Sequence, residues 1–270
     1  MNKEDILEKY AVLAIRAALE AGEVILDVYG TEFEVEMKKD QSPLTIADQR
    51  SNEVITKFLK KSKLPILSEE GKKIKYEERR DWEYYWLVDP LDGTKEFIKR
   101  NGEFTVNIAL MKHNVPVYGV VYVPVRQSLY FGGRGLKSYK VVGIEEIHER
   151  FDHYLDTAAK LPIRNEERPW TVIASRSHMS KETREYIDEV RQKKGEIELF
   201  SIGSSLKLCM IAEGRADEYP RFAPTMEWDT AAGQAVIEGS GGDVYHYESG
   251  KELTYNKENL VNPWFLATKV

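Results

Sequence analysis

Apolar residues at the start of the chain recur at steps of three and four. This spacing predicts one long amphipathic helix with a buried stripe, and Gly30 is expected to end it. The stripe consists of Ile6, Tyr10, Leu13, Ala17, Ala21, Val24 and Val28. A second helix is predicted to begin at Thr45, a residue type favoured as a helix N-cap, and to bury an apolar face. That face is formed by Val54, Ile55, Phe58 and Leu59.

The middle of the chain has the pattern of β-strands. Residues 64–67 predict a short strand that ends at Ser68, and residues 71–83 are mostly charged and are predicted to be a solvated segment. Residues 86–88 indicate the end of a buried strand, which Pro90 is expected to stop. Further strands separated by turn residues, as in an antiparallel meander, are predicted at 103–111, 115–123 and 128–132.

The second half of the chain has a different pattern. Residues 134–168 carry many charges and weak periodicity, so they are predicted to join an N-terminal α+β lobe (1–150) to a C-terminal α/β lobe (151–270). Beyond them strands alternate with helices, which favours a partly parallel sheet. Strands are predicted at 171–174 and 196–200, and helices at 180–194, 204–213 and 229–239.

Composition favours an enzyme with its own core over a small binding module. A chain of 270 residues can bury a large core, and a net charge of −6 with a pI near 5.6 argues against a general nucleic-acid binder. The single cysteine, Cys209, is expected to be buried on a helix and cannot form an internal disulfide. The amino terminus has no export signal, and no apolar run reaches about 18 residues. We therefore expect a cytoplasmic protein without a transmembrane segment, with peripheral association with the inner membrane face left open.

The strongest candidate for chemistry is the pair Asp89 and Asp92, three residues apart across a proline turn. Two carboxylates this close repel each other unless a cation lies between them, and a hard divalent cation with oxygen ligands is the usual solution. Gly93 and Thr94 follow at once and supply a tight bend and a hydroxyl. The structural alternative is an acidic surface turn, because Asp, Pro and Gly are common turn formers.

Three other acidic segments also lie at the ends of predicted elements. They are Glu69–Glu70 after a strand, Asp229 at the start of a helix rich in small residues, and Asp48 in the first turn of the second helix. Each has a structural alternative: an exposed acidic pair, a helix N-cap, and a first-turn acid favoured by the helix dipole. Because sites assemble at the ends of elements, we expect these acids to converge.

Three blocks of the sequence resemble the signatures of the inositol monophosphatase superfamily of metal-dependent, lithium-sensitive phosphatases. These blocks are SEE (68–70), DPLDGTKEF (89–97) and EWDTAAG (227–233), and the resemblance extends over nearly the whole chain. Within the superfamily, three stretches resemble the CysQ-type 3′(2′),5′-bisphosphate nucleotidases: 86–110, ASRSH (174–178) and GSSLKLC (203–209). One departure is Ser68, where many members carry Gly, and the acidic pair behind it is retained.

The resemblance implies a fold and a reaction. The expected fold is a layered α-β-α-β-α sandwich, α+β or α/β in class, of the inositol monophosphatase and fructose-1,6-bisphosphatase type. The implied reaction is the Mg²⁺-dependent hydrolysis of the 3′-phosphate of adenosine 3′,5′-bisphosphate (PAP) to AMP and phosphate, a step of sulfur assimilation, with the use of PAPS left open. The partner implied is this small nucleotide, and no obligate protein partner is expected.

The resemblance also implies roles for individual residues. The implied ligands of two or three Mg²⁺ ions are Glu69, Asp89, Asp92, Asp229 and the backbone carbonyl of Leu91. Asp48 and Thr94 would hold and deprotonate the attacking water. The implied substrate contacts are Gly93, Thr94, His178, Gly203, Ser204, Lys207, Arg221 and Asp229. Lys207 and Arg221 would neutralise the 5′-phosphate, although a lone helical lysine is also typical of a solvated surface.

Other functions stay open at this point. An inositol-phosphate or fructose-bisphosphate phosphatase would share the metal core and differ in the pocket. A haloacid-dehalogenase-type phosphatase would space its two acids two residues apart, whereas Asp89 and Asp92 are three apart. A regulatory homologue that binds nucleotide or metal without turnover is the non-enzymatic alternative, and here every implied catalytic position is filled.

Overall fold

The computed structural model describes residues 6–37, 43–144, 146–163, 168–174 and 179–269. Within these ranges the α-helices are α1 (Val12–Tyr29), α2 (Ile46–Leu59), α3 (Tyr76–Arg79), α4 (Thr94–Ile98), α5 (Phe151–Leu155), α6 (Lys181–Lys194), α7 (Leu206–Glu213) and α8 (Ala231–Ser240). The strands are β1 (Val35–Met37), β2 (Pro43–Thr45), β3 (Ile66–Ser68), β4 (Tyr84–Asp92), β5 (Thr105–Lys112), β6 (Val115–Val123), β7 (Ser128–Gly132), β8 (Tyr139–Val142), β9 (Ala159–Lys160), β10 (Trp170–Ile173), β11 (Ile197–Phe200), β12 (Glu218–Arg221), β13 (Asp243–His246) and β14 (Phe265–Thr268).

The two helices predicted from apolar spacing are confirmed. A π-helical turn, Ile6–Ala11, leads into α1, and Gly30 ends that helix by donating its N–H to the Leu26 carbonyl. Helix α2 begins at Thr45 as its N-cap, in a capping box with Asp48. The short strand predicted at 64–67 lies one to two residues later, at Ile66–Ser68.

The larger sheet contains the predicted antiparallel meander. Its strand order is β3-β4-β5-β6-β7-β8-β9, in which β3 and β4 are parallel and the other neighbours antiparallel. The expectation that Pro90 ends the strand is wrong, because β4 continues to Asp92. Pro90 is accommodated in an irregular stretch, where Asp89 pairs with Asn107 and Asp92 with Thr105. An irregularity of this kind tolerates a residue without an N–H and redirects side chains.

The smaller sheet has the strand order β11-β10-β12-β14-β13. Strands β11, β10 and β12 are parallel neighbours, and β14 pairs antiparallel with β12 and β13. The prediction of a partly parallel sheet in the second half of the chain is therefore confirmed.

The elements stack as five layers, which confirms the predicted α-β-α-β-α sandwich. One core lies between the helices α1 and α2 and one face of the larger sheet. A second core joins the other face of that sheet to α7, α8 and the smaller sheet, and it contains the buried Cys209, as predicted. Helix α6 covers the outer face of the smaller sheet. Helix α8 approaches β6 at Gly119, where any Cβ would overlap the Ala232 carbonyl.

Two charged segments have more structure than their sequences indicate. The prediction that 71–83 is merely solvated is wrong, since α3 lies within it and its last residue, Arg79, is 2% exposed. Arg79 donates to the Asn256 side chain and to the carbonyls of Lys257 and Glu258. In the segment 134–168, β8 and β9 extend the larger sheet, and the lobe boundary at residue 150 stays a prediction. No helix within the described ranges has the length and apolar character needed to cross a membrane.

Candidate active site

Strand β4 carries Asp89 into the interior, where this residue is 1% exposed. Its Oδ1 accepts a hydrogen bond of 3.1 Å from the Leu91 N–H. The chain then turns at Gly93, whose φ of 96° lies in the left-handed region, and a Cβ there would lie 3.2 Å from the Ser204 Cβ. A glycine is required because both the backbone conformation and the close approach exclude a side chain. The acidic surface turn considered as an alternative is therefore wrong.

Asp48 and Thr94 meet although 46 residues separate them. Thr94 Oγ1 donates to Asp48 Oδ1 at 3.1 Å and lies 3.5 Å from the Leu91 carbonyl oxygen. The other oxygen of Asp48, Oδ2, accepts from the Thr45 N–H at 2.8 Å and from the Thr45 hydroxyl at 2.7 Å. Asp48 is thus both an acid in the first turn of α2 and the hydrogen-bond partner of the Thr94 hydroxyl. The structural and the functional interpretation of this residue are therefore compatible.

Asp92 is held from the opposite side of the site. Its Oδ2 accepts from the Ser205 N–H at 2.6 Å and lies 2.8 Å from the Ser205 hydroxyl. Asn107 on β5 donates to the same hydroxyl at 2.9 Å. Ser205 and Asn107 are absent from the sequence-based set of site residues, because their contacts join segments that lie about 100 residues apart in the chain.

Asp229 ends a 3₁₀ turn, Glu227–Asp229, that precedes α8. Its Oδ2 accepts from the Met226 N–H at 2.9 Å, and its carbonyl oxygen lies 2.7 Å from the Ser205 hydroxyl. The alternative that Asp229 is a helix N-cap is wrong, because Met226 is the N-cap of the turn, Asp229 is its third residue, and Thr230 is the N-cap of α8. The remaining oxygen of Asp229 is left for another partner.

The acidic side chains repel one another electrostatically. Burial raises the pKa of the Asp89 carboxyl well above its usual range, and four neighbouring carboxylates raise it further. In decreasing order these neighbours are Glu69, Asp92, Asp229 and Asp48. Burial and the charge of Asp92 also raise the pKa of Asp229. Like charges near a buried carboxylate have this effect, so the predicted convergence of the acids is present in the fold.

The donor chemistry fits a hard divalent cation. Asp89, Asp92 and Asp229 each use one carboxylate oxygen for hydrogen bonds, and no described residue donates to the second. Oxygen ligands suit Mg²⁺, and a bound cation would relieve the repulsion recorded at Asp89. Among the described residues, however, no three His, Cys, Asp or Glu side chains form a ready-made metal site.

Cationic and polar side chains form the other side of the site. Lys207 donates to the Ser204 carbonyl at 2.8 Å, and burial lowers the pKa of its ammonium to about 8. The guanidinium of Arg221 donates to the Pro224 carbonyl, while its buried Nε has no partner among the described residues. The buried hydroxyl of Ser204 is equally unpaired within the described ranges, and its φ of 45° is left-handed. The solvated-surface alternative for Lys207 is therefore wrong.

One cavity of about 360 Å³ brings the two sides together. Of the predicted site residues, those that line it are Asp92, Gly93, Gly203, Ser204, Lys207, Arg221 and Asp229. Asp89, Asp48, Thr94 and Leu91 do not line this cavity; Leu91 and Thr94 flank its lining residues Asp92 and Gly93 in the chain, and the charges of Asp92 and Asp229 act on Asp89. We call Asp48, Asp89, Asp92, Thr94 and Asp229 the acid half, and Ser204, Lys207 and Arg221 the cation half.

Glu69 lines a second cavity rather than the one shared by Asp92 and Lys207. Glu69 follows β3, where its N–H donates to the Val88 carbonyl, and it lines a neighbouring cavity of about 740 Å³ together with Trp228. It is nevertheless the carboxylate that acts most strongly on Asp89. His178 lies outside the described residues.

Known proteins match this chain in sequence and in fold. The model of the inositol monophosphatase family matches residues 6–268. The chain belongs to the inositol monophosphatase family. This membership agrees with the layered fold.

Individual members of the family are closely similar over nearly their full length. The 3′(2′),5′-bisphosphate nucleotidase CysQ of Salmonella typhimurium is 44% identical, over 93% of this chain and 96% of its own. The nucleotidase CysQ of Shigella flexneri is 47% identical, over 92% and 95%. The crystal structure of CysQ from Bacteroides thetaiotaomicron superposes with a TM-score of 0.90 at 48% identity, covering 97% of both chains.

Proposed function

We propose that this chain is a metal-dependent phosphatase that hydrolyses the 3′-phosphate of PAP to give AMP and phosphate. The observation that carries the proposal is the single cavity in which Asp92 and Asp229 face Lys207 and Arg221. A phosphatase for a simple monoester needs the acids alone, whereas a bisphosphate needs cations for its second anionic group. Two CysQ nucleotidases that resemble this chain over more than nine-tenths of its length support the same substrate class.

The acid half would bind Mg²⁺ and position the reacting phosphate. Asp89, Asp92, Asp229, Glu69 and the Leu91 carbonyl would hold two or three of these ions. When bound, such cations polarise the phosphoryl oxygens, lower the pKa of the attacking water and stabilise the leaving 3′-oxygen.

Thr94 and Asp48 would act on the attacking water. Thr94 donates its hydroxyl proton to Asp48, which leaves the lone pairs of its oxygen available to accept from a water molecule. As that water attacks phosphorus, its proton would move to Thr94 Oγ1 while the threonine proton moves to Asp48. Thr45 holds Asp48 in place through two hydrogen bonds, so the acceptor of this proton is oriented in advance.

The cation half would bind the 5′-phosphate. The unpaired Nε of Arg221 and the unpaired hydroxyl of Ser204 are donors that lack an acceptor among the described residues. Buried donors without partners cost free energy unless a ligand satisfies them. A phosphate group, with several acceptor oxygens and a double negative charge, matches the charge of Lys207 and Arg221. Gly93, Gly203 and His178 remain proposed substrate contacts.

The proposal is tested by phosphate release from a panel of monoesters. The panel contains PAP, PAPS, 3′-AMP, inositol 1-phosphate and fructose 1,6-bisphosphate, each with Mg²⁺ and with a chelator. We expect the highest kcat/KM for PAP and no turnover once metal is removed. A preference for inositol 1-phosphate over PAP would overturn the nucleotidase assignment, and turnover in the chelator would overturn the metal dependence.

A further inference from the structure

A chain of buried polar side chains leads from β5 to Asp92. Its members are almost fully buried: Thr105 is 0% exposed, Asn107 1% and Ser205 2%. Burying polar groups costs free energy unless each is hydrogen-bonded. The presence of three in succession beside one carboxylate therefore calls for an explanation in terms of that carboxylate.

The hydrogen bonds of this chain have a defined direction. Thr105 Oγ1 donates to Asn107 Oδ1 at 2.9 Å, which turns the amide so that Nδ2 faces Ser205. Asn107 Nδ2 then donates to Ser205 Oγ at 2.9 Å. With a lone pair of Oγ occupied, the hydroxyl proton points to its acceptors, which are Asp92 Oδ2 at 2.8 Å and the Asp229 carbonyl oxygen at 2.7 Å.

The result is an Asp92 carboxylate fixed at one end. All its hydrogen bonds from described residues reach Oδ2: the Ser205 N–H at 2.6 Å, the Ser205 hydroxyl at 2.8 Å and a long contact of 3.5 Å from Asn107. Oδ1 receives none within the described ranges. Asp92 also lines the cavity. Its Oδ1 is therefore available to a ligand, while the hydrogen bonds to Oδ2 restrict rotation of the carboxylate.

The Ser205 hydroxyl also joins the two parts of the site. Asp92 comes from the end of β4 in the larger sheet, whereas Asp229 comes from the turn before α8. A single side chain at the start of α7 lies within hydrogen-bond distance of both. Side chains that orient metal ligands in this way affect metal affinity without touching the metal.

We propose that Ser205, oriented by Asn107 and Thr105, is a positioning residue that holds Asp92 with Oδ1 available for a divalent cation and sets its distance from Asp229. This inference rests on the proposed function for the assignment of Asp92 as a cation ligand. Because the Ser205 hydroxyl reaches Asp92 directly, its loss should weaken metal binding.

The test is calorimetric titration of Mg²⁺ into the metal-stripped full-length protein. Ser205→Ala should bind Mg²⁺ about 10-fold to 100-fold more weakly than wild type, the usual effect of losing a group that orients a ligand. Ser62→Ala is the matched control, because Ser62 is also a buried serine with several hydrogen bonds, to Leu59, Leu64 and Trp86, outside the site. The control should lose a similar amount of thermal stability and bind Mg²⁺ as wild type does.

A double-mutant cycle tests the direction of the chain. Asn107→Ala alone should weaken Mg²⁺ binding about threefold to tenfold. Adding it to Ser205→Ala should cause at most a small further loss, because Asn107 acts mainly through Ser205 and reaches Asp92 directly only by a long contact of 3.5 Å. If the losses of Mg²⁺ affinity caused by the two substitutions add in full, Asn107 does not act through Ser205. Unaltered Mg²⁺ affinity in a folded Ser205→Ala protein would overturn the positioning role.

The titration separates this inference from the proposed function. If wild type binds Mg²⁺ but releases no phosphate from PAP, the nucleotidase assignment fails, and weaker binding by Ser205→Ala still supports the positioning role. If wild type hydrolyses PAP with Mg²⁺ and Ser205→Ala binds the ion as tightly, the positioning role alone fails. Wild type that binds no Mg²⁺ would overturn both.

Discussion

The acid half and the cation half share one cavity but are held in opposite ways. Asp48, Asp89, Asp92 and Asp229 each have one oxygen fixed by a backbone N–H or a buried side chain. In the cation half Lys207 and one nitrogen of Arg221 donate to backbone carbonyls, whereas Arg221 Nε and the Ser204 hydroxyl have no partner within the described ranges. The carboxylates of the acid half are therefore oriented by the protein itself. The cation half, in contrast, keeps donors that a bound ligand would satisfy.

This difference assigns separate tasks to the two halves. A fixed set of carboxylates suits metal binding and the chemistry of any phosphate monoester. Unpaired cationic donors suit selection among substrates, because they gain most from a ligand that carries a second anionic group. Substitutions in the acid half should thus affect all substrates alike, and substitutions in the cation half should affect bisphosphates only.

The largest expected effect follows from removing a charge in the acid half. Asp92→Asn should lower kcat/KM by about 1000-fold or more for every substrate, because it removes several kcal/mol of charge stabilisation. The measurement is phosphate release from PAP and from 3′-AMP at saturating Mg²⁺. Asp243→Asn, at an exposed aspartate on β13, is the control and should leave both rates unchanged. Wild-type turnover in Asp92→Asn would remove Asp92 from the metal site.

A somewhat smaller effect is expected at Thr94. Thr94→Ala should lower kcat and kcat/KM together by about 100-fold, since a group that orients the water acts mainly in the transition state. Thr94→Ser keeps the hydroxyl that reaches Asp48 and should retain most of the activity. A rise in KM with unchanged kcat would show instead that Thr94 contacts the substrate.

Substitutions in the cation half should separate the substrates. Lys207→Ala or Arg221→Ala should lower kcat/KM for PAP by about tenfold to a hundredfold, the value of a charge-assisted contact of roughly 1.5 to 3 kcal/mol. The rate with 3′-AMP, which has no 5′-phosphate, should stay nearly constant. Equal losses on both substrates would mean that these residues support the fold or the acid half.

The smallest expected effect is a pH dependence of selectivity. Burial lowers the pKa of the Lys207 ammonium to about 8, so the residue is charged below that pH and neutral above it. The ratio of kcat/KM for PAP to that for 3′-AMP should therefore fall by up to about tenfold as pH rises through 8. Lys207→Arg keeps its charge at these pH values and should abolish the fall. A ratio that is constant with pH in wild type would show that Lys207 does not bind the 5′-phosphate.

The parts of the site that could be predicted from sequence are those whose residues lie only a few positions apart in the chain. Thr45 and Asp48 lie three residues apart, a spacing typical of a capping box, and the structure contains that box. Asp89 and Asp92 lie at the end of a buried strand, and the burial of Asp89 together with the repulsion from Asp92 agrees with the prediction of a charged site. Both patterns depend on neighbours in the chain, so the sequence alone is sufficient.

The missed residues depend on contacts between distant segments. Ser205 meets Asp92 across 113 residues, and Asn107 meets Ser205 across 98. Arg79 lies in a charged segment that resembles solvated chain, yet its guanidinium is buried by Asn256, 177 residues away. Such pairs follow from the stacking of the two sheets, which periodicity does not specify. The prediction that Pro90 stops the strand fails for a related reason, because the irregular pairing of β4 with β5 accommodates a proline.

The most direct test of the two-halves account is the identity of the nucleotide left after PAP is hydrolysed. If the cation half holds the 5′-phosphate while the acid half cleaves the 3′-phosphate, chromatography of the products should show 5′-AMP and one equivalent of phosphate. The Lys207→Ala and Arg221→Ala proteins should form the same product more slowly. Release of 3′-AMP, or a mixture of the two monophosphates from wild type, would contradict the account, because the two halves would not then fix the orientation of the substrate.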